Sequence, residues 1–164
     1  MPHLQALPFF LKRSDGIISG GEITSTQETI HGLLLLDEDR LIIQWRTARQ
    51  TDRVGQEIRT DRELDPLREV TIPLEGVASA EVRSPWWKFG EGTTLVLTAA
   101  DLRAFEQLTG DAGLRLDHPA ELVLRIRKAD RPSAREFTSE LELAHAERAL
   151  RIATSDDNPT LKSS

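Results

Sequence analysis

The chain has no cysteine and no long apolar run, and both absences limit what kind of protein it is. Without cysteine it has neither disulfides nor a zinc site built on thiolates. The longest clean apolar run, residues 33–36, is far too short to cross a bilayer. Residues 1–11 lack the basic start and long apolar stretch of a secretory signal. We therefore expect a cytoplasmic protein with no transmembrane segment.

The net charge of −6 argues against nucleic acid as the main partner, because phosphate binding needs a concentrated positive field. A length of 164 residues is enough for one domain with one core. We expect a single domain over residues 1–152, followed by a flexible polar tail over residues 153–164.

No familiar catalytic or metal-binding motif occurs in the sequence. There is no P-loop, no Rossmann fingerprint and no G-x-S-x-G. The four histidines, which are scattered and lack the spacing of a metal site, are His3, His31, His118 and His145. The sequence thus predicts a protein that is not an enzyme and has no cofactor and no metal.

Short strands dominate the hydrophobic pattern. The clearest hairpin joins residues 29–37 to residues 40–49, where Leu41, Ile43 and Trp45 alternate with polar or outward-facing side chains. Before it, residues 17–26 are predicted to form a strand in which Gly20 and Gly21 mark a bulge or bend, with a hairpin loop at residues 26–29. Later strands are predicted at residues 69–74, 77–83, 93–98 and 120–128.

Two other segments have a different character. Residues 50–68 are rich in charges of both signs and poor in apolar side chains, which predicts a long charged loop at the tip of a hairpin. Residues 132–150 carry an apolar stripe at helical spacing, formed by Ala134, Phe137, Leu141 and Ala144. The fold class predicted is therefore mainly β, with one C-terminal helix over residues 132–150.

The segment V-T-I-P-L-E-G-V-A-S-A-E-V, residues 70–82, resembles a strand-turn-strand of bacterial pleckstrin-homology-like and GRAM-like domains. A tryptophan-bearing segment after it, and a final strand followed by a helix, are also similar to those families. The resemblance implies a bent barrel of about seven antiparallel strands capped by the helix. It does not extend to inositol-phosphate recognition, because residues 26–29 contain no basic side chain and residues 37–39 are acidic.

Three aromatic residues, Trp86, Trp87 and Phe89, lie within four positions and are candidates for a contact surface. Adjacent strand residues face opposite sides, so one tryptophan can enter the core while the other stays at the surface. Large aromatics are favoured anchors of protein interfaces. Packing in the core and its rim, contact with a protein partner or a second copy, and insertion into a membrane all stay open.

A basic stretch, Arg125, Arg127, Lys128 and Arg131, is a second candidate. These side chains either form a solvated face paired with Glu121 and Glu136 or bind an anion or an anionic lipid. Taken together, the sequence predicts a non-catalytic binding or assembly module that contacts a protein or itself. The alternative is a barrel that binds a small ligand or anionic lipid.

Overall fold

The computed structural model describes residues 5–84, 92–110 and 113–156. Within these ranges eight antiparallel strands precede one α-helix. The strands are β1 (Gln5–Ser19), β2 (Glu22–Asp37), β3 (Arg40–Val54), β4 (Ile58–Leu64), β5 (Arg68–Pro73), β6 (Val77–Arg83), β7 (Thr93–Ala99) and β8 (Glu121–Ile126). The helix is α1 (Arg131–Asp156), and short 3-10 turns occur at Leu74–Gly76, Glu106–Leu108 and Lys128–Asp130.

The strands form one sheet in the order β4-β3-β2-β1-β8-β7-β6. Strand β3 pairs with two strands along one of its edges: its first half pairs with β5 and its second half pairs with β4. Along the described strands this path is open, with β4 and β5 at one end and β6 at the other. The predicted mainly β chain with a C-terminal helix is confirmed.

The core lies where α1 packs against the sheet. The buried helical residues are Ala134, Phe137 and Leu141, three of the four members of the predicted stripe. They belong to one cluster with buried side chains of the strands, among them Leu7, Leu34, Ile43, Leu95, Leu97, Leu122 and Leu124. Burying each large apolar side chain contributes roughly 1.5–3 kcal/mol, so this region supplies most of the hydrophobic stabilisation.

Close backbone packing in the core depends on Gly32. A Cβ atom at this position would clash with the ring of Phe9 and would lie 2.5 Å from the carbonyl oxygen of Gln44. Phe9 is directly opposite Gly32 on β1 and is buried. Only glycine therefore leaves room for the phenyl ring against the backbone of β2.

The predicted hairpin of residues 29–37 and 40–49 is confirmed, with Asp37 opposite Arg40 and Thr29 opposite Ala48. The prediction for the chain before it is wrong. Gly20 and Gly21 do not bend a strand over residues 17–26; they form a two-residue turn between β1 and β2. Both have positive φ, +59° and +82°, which is the requirement of a type I′ hairpin turn. The predicted loop at residues 26–29 lies inside β2.

The charged segment 50–68 is not a loop. It contains the end of β3, a short turn, the whole of β4 and the start of β5. Backbone pairing stabilises it in place of apolar burial, and the ion pair of Glu63 with Arg49 adds to that pairing, whereas Arg53 and Arg59 are opposed like charges. The helix is also longer than predicted: it ends at Asp156 rather than residue 150, so residues 153–156 of the predicted tail are helical.

Candidate contact surface on a distal arm

The first four strands extend beyond the core and form what we call the distal arm, residues 12–29 and 48–64. It is a four-stranded antiparallel sheet with the β1–β2 turn and the β3–β4 turn at its tip. The boundary between the arm and the core falls between two neighbouring rows of paired residues. The last row of the core is at least partly buried and consists of Leu11, Ile30 and Thr47. The next row on the same face is charged and consists of Arg13, Glu28 and Arg49.

On this face the arm carries a row of alternating charge, Arg13, Glu28, Arg49 and Glu63, one from each strand. The Arg49 guanidinium donates to the Glu28 carboxylate at 3.0 Å and to the Glu63 carboxylate at 3.2 Å. The Asp65 carboxylate lies 3.9 Å from the same guanidinium. Opposite charges on directly opposed residues stabilise a strand pair, so this row specifies the register of the arm.

Arg49 and Arg13 differ in electrostatic setting. Hydrogen bonding to Glu28 raises the pKa of the Arg49 guanidinium above its usual value. Burial lowers the pKa of Arg13, and repulsion from Arg115 adds to that lowering. Both side chains remain cationic at neutral pH, since an arginine in a protein does not lose its proton. Arg49, which lies near the carboxylates of Glu28, Glu63 and Asp65, is the cation that holds this row together.

The opposite face of the arm carries an apolar row at the tip. Ile18 is opposite Ile23, Ile23 is opposite Val54, and Val54 is opposite Ile58, so all four side chains lie on one face. Their exposed fractions are 79% for Ile18, 48% for Ile23, 45% for Val54 and 80% for Ile58. Four aliphatic side chains aligned in solvent form a surface that gains free energy when another surface covers it.

Polar side chains separate this row from the body of the protein. Two residues inward the same face carries Gly16, Ser25, Asp52 and Thr60. The Thr60 hydroxyl donates to the Asp52 carboxylate at 2.8 Å. The apolar row is thus an isolated feature of the tip and not an extension of the core.

Sequence reasoning missed this row, although one signal for it was present. A Gly-Gly pair between Ile17-Ile18 and Ile23 fits a two-residue hairpin loop flanked by strand-forming residues. Such a loop would have placed Ile18 opposite Ile23. The alignment with Val54 and Ile58 could not be read locally, because it depends on the pairing of Ile23 with Val54, about 30 positions further along the chain.

The aromatic candidates Trp86, Trp87 and Phe89 lie outside the described residues. The basic candidates are described and lie around the end of β8. Arg125 is exposed and opposite Phe10 and Thr94, and Arg127 and Lys128 are exposed beyond it. The Arg131 Nε donates to the buried hydroxyl of Thr93 at 2.8 Å, which gives this side chain a structural role. Over the described ranges, no ion pair joins the four cations to Glu121 or Glu136.

The described residues contain no group of three or more His, Asp or Glu side chains placed to hold a metal ion. No helix in the same ranges has the length and apolar character needed to cross a membrane. The chain matches no protein-family model, no curated protein and no solved structure.

Proposed function

We propose that this protein is a non-catalytic contact module of the pleckstrin-homology-like type, and that the distal arm makes its contact with a second copy or with another protein. The observation that carries the proposal is the apolar row Ile18, Ile23, Val54 and Ile58 at the tip of the arm. The order of antiparallel strands followed by a packed C-terminal helix supports the assignment to this type.

The contrast between the buried part of the sheet and the exposed arm supports the same proposal. The large apolar side chains of the core are occupied by packing against α1 and against one another. The arm adds little to that core, yet it keeps regular pairing to its tip and exposes aliphatic side chains there. Solvent-exposed apolar rows are unfavourable for solubility, so one retained on a projecting sheet is typical of an interaction surface.

The test replaces all four residues with threonine, which keeps the branched β-carbon that strands favour and removes the apolar surface. A matched control replaces four exposed leucines away from the arm with threonine: Leu67, Leu102, Leu143 and Leu150. Self-association is measured by sedimentation from about 10 µM to about 1 mM, a range that covers weak dimers. Partner capture is measured in extract of the source cells with the three proteins side by side.

We expect the tip variant to lose self-association or to lose a protein that both the wild type and the control retain. Folding is checked by circular dichroism, since exposed positions of this kind change stability by only about 0.5 kcal/mol. Identical sedimentation and identical capture by all three proteins would overturn the proposal.

A further inference from the structure

Strand β4 is an edge of the sheet, and its free side is open. All seven of its residues are exposed, and its only strand partner in the described ranges is β3. The β3–β4 turn at Gly55 precedes it, and Pro66, which has no N–H, follows it. An edge strand of this kind presents unpaired backbone donors and acceptors to any other strand that fits it.

The register with β3 shows which residues present those groups. The Asp65 N–H donates to the Thr47 carbonyl at 2.9 Å, so this opposed pair is hydrogen-bonded. Hydrogen-bonded pairs alternate along an antiparallel ladder, so Arg59, Asp61 and Glu63 also direct their backbone groups to β3. The residues that direct N–H and C=O outward are the others: Ile58, Thr60, Arg62 and Leu64.

We infer that β4 pairs antiparallel with β4 of a second copy of this chain, in a register centred on Asp61. In this register Arg59 lies opposite the partner's Glu63 and Ile58 lies opposite the partner's Leu64, each twice by symmetry. Thr60 lies opposite the partner's Arg62. All four outward-directed residues gain a hydrogen-bonded partner, and Arg59, Glu63, Ile58 and Leu64 each lie opposite a side chain of complementary character.

Other registers lose this match. In a symmetric antiparallel pair, the same face of both strands points to the same side of the sheet. One strand can therefore slide along the other only in steps of two residues, and each step moves the centre of the pair by one residue. A shift to a centre at Arg62 places Asp61 opposite the partner's Glu63, which is a repulsive pair. A shift to a centre at Thr60 leaves Leu64 without a partner and places Ile58 opposite the partner's Arg62.

The surroundings of β4 fit the inferred pair. Glu63 is already the last member of the charge row, and Arg59 has no ion-pair partner among the described residues. Pairing would extend the alternation of charge from Glu63 to the partner's Arg59. On the other face a cleft of about 310 Å³, lined in part by Ala48, Arg62 and Leu64, adjoins the place of the partner's Ile58.

One contact opposes the pair. Asp61 would face the partner's Asp61 across the symmetry axis, and like charges directly opposite each other are destabilising. A single strand pair also buries less area than a standard interface. The dimer is therefore expected to be weak, with a dissociation constant in the micromolar range or above.

This inference specifies the partner of the contact module proposed above and rests on that proposal. The test uses sedimentation equilibrium of the full chain and two charge reversals, R59E and E63R. Each reversal alone puts like charges opposite each other twice, so each is expected to raise the dissociation constant at least about tenfold. An equal mixture of the two variants restores both opposite-charge pairs between the chains and is expected to recover association. Because E63R also removes the ion pair of Glu63 with Arg49 in its own chain, the recovered dimer is expected to be somewhat weaker than the wild type. Restoration in the mixture shows that loss of association in each variant is not caused by misfolding.

D61N supplies an independent readout of the register. It removes the only repulsive pair and is expected to lower the dissociation constant about threefold or more. A wild-type chain that stays monomeric to about 1 mM would overturn the inference. So would a mixture of R59E and E63R that stays monomeric although each variant keeps the wild-type circular dichroism spectrum.

The two proposals fail in different ways. If the charge variants associate as the wild type does and the threonine variant of the apolar row does not, the β4 register is wrong and the contact function of the arm stands. If the charge variants behave as expected and the threonine variant behaves like its control, the apolar row is not the contact surface, and the edge strand alone forms the dimer.

Discussion

The core and the distal arm share strands β1, β2 and β3, yet different forces hold the two regions together. In the core, one face of β1, β2 and β3 is buried with α1 and with side chains of β5 to β8. In the arm, both faces of those strands are largely accessible, and pairing is supported by the ladder and by ion pairs around Arg49. The change occurs within one step of the register, between Leu11 and Arg13 and between Ile30 and Glu28. A regular sheet therefore continues without a second layer, supported by its backbone ladder and by one row of matched charges.

The largest expected effect distinguishes the two regions by burial. Phe137→Ala removes a fully buried ring from the core and is expected to lower the free energy of unfolding by about 3–5 kcal/mol. Ile18→Ala on the arm is expected to change it by only about 0.5 kcal/mol, since the side chain is mostly exposed. Urea denaturation followed by circular dichroism measures both. Similar losses of stability for the two variants would mean that the Ile18 side chain is buried in the folded protein, which would contradict the exposed arm.

A second comparison uses one residue type in both regions. Gly32→Ala forces Phe9 and β3 to shift and is expected to cost about 1–3 kcal/mol, the usual cost of overpacking. Gly16→Ala lies on the arm, where an added Cβ meets nothing within 4 Å, and its φ is not positive. It is expected to be neutral or stabilising by about 0.4–1 kcal/mol, because alanine restricts the unfolded chain. Thermal melts of both variants check the prediction, and equal shifts of the melting temperature would contradict it.

The smallest expected loss of stability among the disruptive changes concerns the charge row. Arg49→Met removes the ion pairs with Glu28 and Glu63, and because these groups are partly exposed the loss is expected to be about 1 kcal/mol. We expect the arm to open locally, so hydrogen-bonded amides of β4, and those of β3 beyond Thr47, should exchange with solvent roughly fivefold faster while core amides stay unchanged. Hydrogen exchange by NMR measures this, with Arg46→Met, an exposed position with no ion pair in the described part of the chain, as the control. Faster exchange throughout the core would show that the arm and the core open together.

The same contrast explains which parts of the structure the sequence could predict. Alternation of Leu41, Ile43 and Trp45 identified a half-buried strand because burial leaves a period of two in a single strand. The stripe of Ala134, Phe137 and Leu141 identified the helix in the same way. The arm has no such local signal. Arg49, Glu28 and Glu63 look like solvating charges until the register places them side by side, and composition alone then suggests a loop.

The glycine pair shows a second limit. Gly20-Gly21 is compatible with a bulge inside a strand and with a turn between strands, and the choice depends on whether the flanking segments pair with each other. Ser19 does pair with Glu22, and Ile18 pairs with Ile23. The apolar row could therefore be recognised only once the turn was placed correctly.

The unbroken course of β2 and β3 from the core to the tip determines how far the arm reaches. From Thr47, where burial ends, to Val54 at the tip is seven residues of extended chain, roughly 23 Å. The arm is consequently a spacer of fixed length: it holds whatever binds at its tip about that far from the globular body. Lengthening or shortening it by two residues in each strand would change that separation by roughly 7 Å and keep every side chain on its own face.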